Sequence, residues 1–493
     1  LWSELLFNVP QFFSYSFIKR GHHRMHIDDI SGSHSSFTIR ANPEFGFSGY
    51  ERSSDTRLDA NITRYRWVMK DVPELKKESY TTTLYNHISR IEFQFASTNY
   101  PLVANNYRMT WGSLTNALLE HENFGRALQK DNGWTKDERN TLLNGADSDL
   151  EKARRIYAFV RENFTCNDHD AVTVDQSLKN AMKSRKGSVA DINLLLISML
   201  RDAGLEADPV ILSTTENGYV FELYPIPGAF NYVICQFRSG KKRYYLDASW
   251  SGLGFGQLRP FCYNGHARVV NSNIGAVDLS PDSLRESSMT SVFVSNLDNG
   301  TWAGTMKHTA GMNESFELRS RITDKGEEAY FTEKVKGFGN DIIMNKQSVT
   351  GLKDYDQPLV LEYDFKLKLD GEETIYLSPL FGENYKDNPF KSLVRHYPVE
   401  MPYTLDEIFV LTMEVPKGYV VDEVPEQMLV KLDEQGKSFF EYRISHSGEI
   451  ISLRSRIKID RASYPADEYD YLREFFARLV SKQSEQIVLK KKK

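Results

Sequence analysis

The sequence contains few cysteines, little net charge and no long hydrophobic run. Among its 493 residues there are 3 Cys, and 61 Lys+Arg against 67 Asp+Glu give a formal net charge of −6. Three thiols cannot build a disulfide framework, and their spacing does not fit a four-ligand zinc site. A weakly acidic chain also lacks the concentrated basic face that phosphate binding requires. We therefore predict no disulfide scaffold, no metal site and no nucleic-acid partner.

Membrane-spanning and cofactor-binding motifs are also missing. The longest strongly apolar run, residues 192–200, has about half of the ~18 residues that a membrane span needs. The sequence has neither Gly-x-x-x-x-Gly-Lys nor a strand followed by Gly-x-Gly-x-x-Gly, so no cofactor is predicted. The chain begins at Leu1 and reads as a strand from Leu5. We interpret it as a truncated or processed product from which a signal peptide could have been removed.

Hydrophobic residues make up 40% of the chain and aromatic residues 12%, enough for folded cores in an α+β multidomain protein. Residues 1–105 are rich in aromatic and β-branched side chains and predict a β-sandwich-like domain. Residues 106–147 have helical spacing and then a polar stretch, which predicts a helical linker. Helices followed by strands predict an α+β core over 148–278. Residues 279–493 predict a second β-sandwich-like domain with a terminal helix.

Two local patterns outside the core also give predictions. Apolar and charged residues alternate over 361–369 and predict a half-buried strand that ends in an Asp370-Gly371 turn. His22 and His26 would share one face of a strand two steps apart, too far for a tight metal pair. We interpret both histidines as residues of a surface strand.

The core segment begins with a helix signal at Ser148, which Glu151 follows as in a capping box. A second helix is predicted at about 176–185, and a third begins near Ser188 and ends at Gly204. Three strands follow, at residues 209–213, 231–237 and 243–248.

This order of elements resembles the transglutaminase-like superfamily, which shares the papain-type cysteine-peptidase fold. The residues that carry the resemblance are Lys-Gly-Ser-Val-Ala-Asp at 186–191, the leucine-rich run after them, and Ala-Gly-Leu-Glu-Ala at 203–207. Members begin with a helix like 153–160 and then reach a Gly-x-Cys that starts the next helix. A His opens a later strand, and an Asp ends the hairpin that follows it.

The flanks resemble one bacterial subgroup of that superfamily. The resembling phrases are Tyr-Arg-Trp at 65–67, Asn-Pro-Phe at 388–390 and Val-Pro-Lys-Gly-Tyr at 415–419. In this subgroup the core lies between two β-domains of unknown function, usually in exported proteins of the Gram-negative envelope. The resemblance therefore implies a bacterial protein, periplasmic or secreted. It also implies that the N-terminal β-domain is truncated, since that domain usually starts well before the equivalent of Leu1.

Papain-type catalysis needs a thiolate at a helix N-terminus, a His that moves the proton, and a third group that orients the ring. The resemblance implies that these positions are held here by Val189, Asn231 and Asp247. Valine has no lone pair, and asparagine cannot accept a proton near neutral pH. We therefore predict a pseudoenzyme with vestigial triad positions. Asp247 either accepts a hydrogen bond from Asn231, which we favour, or simply ends a strand.

Three other side chains could supply a rearranged site. Ser188 adjoins the missing Cys, but with Asp191 three residues later it reads better as a helix cap. Cys166 has His169 close in sequence and could form a dyad or bind a metal, although loop polarity explains both residues as well. Cys235 and Cys262 are interpreted as buried, structural thiols.

The leading hypothesis is thus a non-catalytic, peptidase-like module. Such a module would bind an extended peptide, a peptidoglycan-like polymer or an envelope protein by sheet-edge contacts, or would have a structural role. The alternative is an active cysteine protease, amidase or transglutaminase-type acyl-transfer enzyme that uses Cys166 or Ser188.

Overall fold

The computed structural model describes most of the chain, namely residues 1–21, 23–40, 45–46, 49–50, 55–130, 133–297, 301–336, 342–367 and 372–493. His22 and the Asp370-Gly371 pair of the predicted turn lie outside the described residues. The chain divides into two compact units, of which the first comprises Leu1–Lys77 and Thr83–Trp111, and the second Glu78–Thr82 and Gly112–Lys493.

The first unit is built from β-strands, because alternating aromatic and β-branched residues favour extended backbone. Its strands are β1 (Trp2–Pro10), β2 (Phe13–Arg20), β3 (Ile27–Arg40), β4 (Phe45–Gly46), β5 (Gly49–Tyr50), β6 (Asp55–Lys70), β7 (Arg90–Thr98) and β8 (Asn105–Asn106). Sheets form in the orders β1-β6-β3, β2-β7-β8 and β4-β5. Phe17 packs against Trp67 and Phe93, with ring centroids 5.4 and 5.6 Å away, and so contributes to an aromatic core.

The second unit opens with helices and two short strands. They are α1 (Trp111–Glu120), α2 (Gly125–Gln129), α3 (Lys136–Leu143), α4 (Asp149–Asn163), β9 (Thr165–Asp168), α5 (Leu178–Ser184), β10 (Lys186–Ser188) and α6 (Val189–Asp202). Ser148 caps α4, because its Oγ accepts a hydrogen bond from the Glu151 amide at 3.2 Å. After α6 the chain turns at Gly204, whose φ of +77° is the left-handed conformation that glycine adopts without strain.

An antiparallel sheet packs against α6. Its strands are β11 (Glu206–Leu212), β12 (Tyr232–Ser239), β13 (Lys242–Leu246), β14 (Gly265–Val269) and β15 (Ala276–Leu279), in the order β13-β12-β11-β14-β15. Nearly all of α6 is buried, which explains its leucine-rich sequence.

The remainder of the unit is organised around an eight-stranded sheet in the order β18-β19-β17-β16-β22-β26-β25-β24. The elements are β16 (Arg285–Asn296), β17 (Trp302–Thr309), α7 (Met312–Lys325), α8 (Glu327–Lys336), β18 (Ile342–Thr350), β19 (Val360–Leu367), β20 (Thr374–Leu377), β21 (Val399–Glu400), β22 (Thr404–Glu414), β23 (Tyr419–Glu423), β24 (Met428–Lys431), β25 (Phe439–Ser447), β26 (Ile450–Ile459), β27 (Ser463–Tyr464), α9 (Tyr469–Gln483) and β28 (Ile487–Lys491). Strands β16 and β22 pair in parallel.

The predicted α+β class with several sheets and a terminal helix is confirmed. The boundaries at 105/106, 147/148 and 278/279 stay predictions. Among the helices that the structure describes, none has both the length and the apolar character needed to cross a membrane.

Candidate functional site

The N-terminus of α6 is closed by a reciprocal cap, as the spacing of its residues predicts. Ser188 Oγ accepts a hydrogen bond from the Asp191 amide at 3.2 Å, and the Ser188 amide donates to Asp191 Oδ2 at 3.0 Å. Asp191 Oδ1 accepts a further hydrogen bond from the Asp175 amide at 3.1 Å. Both side chains of the cap are buried. The Ser188 hydroxyl therefore serves the helix terminus, and among the described residues it has no general base as a hydrogen-bond partner.

Val189, the first residue of α6, is fully buried in an apolar cluster. The cluster includes Leu212 and Tyr232 from the neighbouring strands and the Cys262 thiol. A thiol at this position would benefit from the helix dipole and the free N–H groups of the helix N-terminus. The isopropyl group of Val189 fills the position with carbon instead.

Asn231 lies just before β12 and does not contact the acid. Its Oδ1 accepts from the Thr214 amide at 2.9 Å, and its Nδ2 donates to Thr214 Oγ1 at 3.0 Å. The predicted hydrogen bond from Asn231 to Asp247 is therefore wrong. Adjacent side chains of a strand point to opposite faces, so the next residue reaches the acid instead.

Tyr232 is that residue, and sequence reasoning missed it. Its hydroxyl donates to Asp247 Oδ2 at 2.7 Å, and its ring shares the apolar cluster with Val189. Burial, with the Asp247 carboxylate as a second cause, raises the pKa of Tyr232 well above its usual value. The side chain that lies between residue 189 and the acid is thus a neutral phenol. A signal was present in the sequence, since Asn231 and Tyr232 are adjacent polar-tipped residues and a shift of one position exchanges their faces.

Asp247 follows β13 and is fully buried with a complete set of donors. Besides Tyr232, it accepts hydrogen bonds from Asn193 Nδ2 at 2.9 Å, the Ser249 amide at 3.0 Å and Ser249 Oγ at 2.6 Å. A buried carboxylate is tolerated when such donors replace its water. Among the described residues, the hydrogen-bond donors to this carboxylate include no histidine.

Asn193 joins α6 to the sheet through both ends of its amide. Its Nδ2 also donates to the Val233 carbonyl at 2.9 Å, and its Oδ1 accepts from the Ala248 amide at 2.9 Å. The acid, α6, β12 and the segment that follows β13 therefore form one hydrogen-bonded cluster. We call Asn193, Tyr232, Asp247 and Ser249 the acid cluster.

Cys166 and His169 lie at the edge of the acid cluster. Cys166 pairs with Gly187 in the parallel β9–β10 ladder. Its Sγ lies 3.2 Å from the Asp168 carbonyl oxygen and 3.5 Å from His169 Nδ1. The His169 ring stacks on Trp250 at 4.1 Å, and Trp250 Nε1 donates to the Tyr232 hydroxyl at 3.0 Å. The structure thus brings the predicted Cys/His pair together.

The electrostatics of this pair oppose a thiolate–imidazolium state. Burial is the main cause that raises the pKa of the Cys166 thiol to about 12. Burial also lowers the pKa of His169. A raised pKa favours the protonated thiol near pH 7, whereas activated cysteines have pKa values of about 3.5–7.5. The pair is neutral under ordinary conditions.

The other two thiols are buried, and burial raises the pKa of Cys235 and of Cys262. Within the described ranges, no group of three or more His, Cys, Asp and Glu side chains is arranged to hold a metal ion. The chemistry that the region offers is hydrogen bonding that involves the buried carboxyl groups of Asp191 and Asp247.

Comparison with known proteins identifies two parts of the chain. Residues 138–233 match the family model described as the transglutaminase-like superfamily. Residues 373–489 match a domain of unknown function with solved structure, DUF3858. The resemblance predicted from motif order is therefore confirmed. A comparison with curated proteins found no match.

Two solved structures are similar to the chain. The crystal structure of a "putative protease" from Parabacteroides distasonis has 12% sequence identity and a TM-score of 0.51, with coverage of 99% of this chain and 72% of that one. A "putative cysteine protease" from Cytophaga hutchinsonii has 12% identity and a TM-score of 0.20, with coverage of 57% and 93%. The first similarity shows a shared fold, and the second score is too low to support a structural conclusion.

Proposed function

We propose that this chain, with its transglutaminase-like core and DUF3858 segment, is a non-catalytic module in which the core has a structural role. The observation that carries the proposal is the environment of residue 189. Val189 is fully buried at the helix N-terminus where papain-type enzymes hold their thiolate. No electron pair is available there to attack a carbonyl carbon.

The residues at positions 231 and 232 support the same proposal. Tyr232 donates to Asp247 and, with its raised pKa, keeps its proton near neutral pH. Acyl transfer needs a group that accepts a proton from the nucleophile and returns it to the leaving group. In this region neither residue 231 nor residue 232 can do so.

The structural role follows from what the acid cluster supports. The Tyr157 hydroxyl lies 3.1, 3.0 and 3.2 Å from the carbonyl oxygens of Asp247, Leu253 and Gly254. The backbone after Gly254 then meets a later segment, where the Phe255 amide donates to Asp356 Oδ1 at 2.7 Å. Buried hydrogen-bond networks of this kind rigidify the elements that they join. We infer that the cluster holds the 253–257 segment in position for residues 355–356.

A second candidate function is a hydrolase that uses Cys166, because its sulfur lies 3.5 Å from His169 Nδ1. The geometry resembles that of a nucleophile and its base, whose hydrogen bonds are often long before substrate binds. The raised pKa of Cys166 and the lowered pKa of His169 count against this candidate.

Labelling with activity probes separates the two functions. The full chain is treated at pH 7 with a thiol-directed and a serine-directed electrophile, and the labelled peptides are identified by mass spectrometry. We expect substoichiometric labelling of Cys166 and none of Ser188. Stoichiometric labelling that Cys166→Ala or Ser188→Ala abolishes would overturn the non-catalytic proposal. Cys235→Ala is the matched control, since that thiol is buried.

An extended peptide, a peptidoglycan-like polymer or an envelope protein is the proposed partner class, and the bacterial envelope is the proposed location. Both rest on the resemblance to the bacterial subgroup. Strands β13 and β15 are the outer strands of the core sheet, which supports strand addition as the mode of binding. Titration of the full chain with muropeptides and extended peptides tests this, and no binding up to millimolar concentration would count against it.

A further inference from the structure

A cavity of about 520 Å³ lies in the second unit, remote in sequence from the acid cluster. The inner faces of β16, β17, β22 and β26 form its floor. Helix α7, the segment 380–403, residues 259–260 of the core and Gln483 at the end of α9 form the rest of its wall. The volume lies in the range of small-molecule sites, about 300–1,000 Å³.

The floor of the cavity contains a carboxyl group where the strand pattern calls for an apolar residue. Leu405, Phe409, Leu411 and Met413 alternate along β22 and are buried in the core. Glu407 occupies the same face between Leu405 and Phe409, since side chains of a strand repeat every two residues. Its register partners are Ser288 on β16 and Ile457 on β26. An acid on the otherwise apolar face of β22 is costly and calls for a functional explanation.

The other acids around the cavity have partners within the protein. Glu286 accepts hydrogen bonds from the Glu314 amide at 2.8 Å and from Asn313 Nδ2 at 3.0 Å. Glu314 Oε1 lies 3.1 Å from His308 Nε2. The remaining two acids are held by cations, Glu317 by Arg259 at 2.7 Å and Glu383 by Lys334 at 3.0 Å. These groups are therefore committed to the fold.

Glu407 differs from all of them. In the part of the chain that the structure describes, it forms no ion pair, and its hydrogen bond comes from the Tyr385 hydroxyl at 3.0 Å. The titratable groups that face it on the surrounding elements are Tyr80, Tyr385, Tyr403, His308, Glu286 and Glu314. Two cations also line the cavity, Arg259, which is paired with Glu317, and Arg321 on α7. Burial raises the pKa of Glu407 to about 7, and the Glu314 and Glu286 carboxylates add to the rise. A cationic group that entered the cavity could therefore pair with Glu407, which has no ion-pair partner among the described residues.

We propose that this cavity binds a ligand with a primary ammonium group on an aliphatic chain, with the ammonium at the Glu407 carboxylate. The group has three donors and a compact positive charge, which suit a carboxylate that has no cationic partner among the described residues. Leu405, Phe409 and Leu380 line the cavity as well, and they offer apolar surface to the methylene chain. The site lies outside the core triad positions and does not depend on whether the core is catalytic.

Protonation provides a signature of this binding mode. A nearby ammonium favours the ionised carboxylate, so the ligand expels the proton that Glu407 holds near pH 7. An aliphatic amine with a pKa of about 10.4 stays charged throughout. Affinity should therefore rise between pH 5.5 and pH 8, with net release of protons on binding.

Calorimetric titration of the full chain tests the proposal with three probes. They are 1,5-diaminopentane, Nα-acetyl-lysine amide and the uncharged 1,5-pentanediol. We expect at least one amine to bind, at least ten times more tightly than the diol, with a heat that depends on the ionisation enthalpy of the buffer. Binding of the diamine alone indicates a free amine as the natural ligand class, and binding of both amines indicates a lysine side chain.

Glu407→Gln keeps the shape and removes the charge, so it should weaken amine binding at least tenfold and abolish proton release. Glu362→Gln is the matched control, because Glu362 is an exposed strand glutamate of the same sheet. Circular dichroism establishes that both variants are folded. The proposal is overturned if no amine binds up to 10 mM, if the diol binds as well as the amines, or if folded Glu407→Gln binds amines like the unmodified chain.

Discussion

Asp247 and Glu407 are both carboxyl groups in the interior of the second unit, but their surroundings differ. Asp247 accepts four hydrogen bonds from three residues and is fully buried in packed side chains. Glu407 accepts one, from Tyr385, and borders a cavity of about 520 Å³. We propose a structural role for Asp247, whereas Glu407 on the β22 face borders a cavity that a ligand could enter. Donor supply, rather than burial alone, separates the two roles.

The most severe test of this difference is the removal of Asp247, whose carboxylate accepts the four hydrogen bonds. Asp247→Ala leaves the donors of Asn193, Tyr232 and Ser249 buried without their acceptor. Each orphaned buried donor costs about 1–3 kcal/mol, so we expect a loss of about 3–5 kcal/mol in the free energy of unfolding. Urea unfolding followed by tryptophan fluorescence measures it.

The control for that measurement is Asp278→Ala, because Asp278 is an exposed acid of the same sheet. It should change the free energy of unfolding by less than about 0.5 kcal/mol. Equal effects of the two substitutions would contradict the structural role of Asp247.

The pH dependence of the free energy of unfolding tests the same difference at Glu407. Its pKa is raised from 4.5 to about 7 in the folded chain, so the native state holds a proton that the unfolded state releases. The resulting stability is fully present below about pH 4.5 and is lost as the pH rises through about 7. Between pH 5 and pH 8 this group should lower the free energy of unfolding by on the order of 2–3 kcal/mol, and Glu407→Gln should abolish that decrease. The urea midpoints of Glu407→Gln and of the control Glu362→Gln are measured at both pH values. If the two variants show the same pH dependence, the raised pKa of Glu407 is refuted.

We propose that the acid cluster supports a joint between residues 253–257 and residues 355–356. This joint can be tested at Gly254, where the two backbone segments approach each other closely. A Cβ on Gly254 would lie 2.4 Å from the Tyr355 carbonyl oxygen, so Gly254→Ala must displace one of the two segments. Overpacking of this kind costs about 1–3 kcal/mol. Gly275→Ala is the control, since its Cβ would meet Val269 at an ordinary 3.7 Å. Thermal unfolding of both variants tests the point, and equal melting temperatures would contradict the proposed joint.

The smallest expected effect concerns the cap of α6. Ser188→Ala removes the acceptor of the Asp191 amide and should destabilise the chain by about 1 kcal/mol, as other caps do. A nucleophilic serine would instead show a loss of probe labelling with the same substitution. Ser148→Ala, at the N-cap of α4, is the matched control for capping alone.

Local features of the site could be predicted from the sequence, because short-range chemistry determines them. The Ser188 cap, the Gly204 turn and the Cys166–His169 pair each involve residues at most three positions apart. The assignment of Val189 to the nucleophile position rests on the resemblance of a continuous motif and stays a prediction.

Features that depend on strand faces and long-range register could not be predicted in this way. Asn231 and Tyr232 compete for the same role, and only the pairing of β12 with its neighbours decides which one faces Asp247. The position of Glu407 at a cavity could not be predicted, because it depends on the parallel pairing of β22 with β16, more than a hundred residues earlier. Its signal was the alternation of Leu405, Glu407 and Phe409, in which the acid interrupts an apolar face.

The central claim is that the transglutaminase-like core holds no activated nucleophile. The most direct test is the pH dependence of alkylation of Cys166 in the unmodified full chain, measured by iodoacetamide labelling and peptide mass spectrometry. With the pKa of Cys166 raised to about 12, the rate should keep increasing up to pH 10 and stay below that of free cysteine at pH 7. A plateau below pH 8, with a rate above that of free cysteine, would show an activated thiolate and contradict the account.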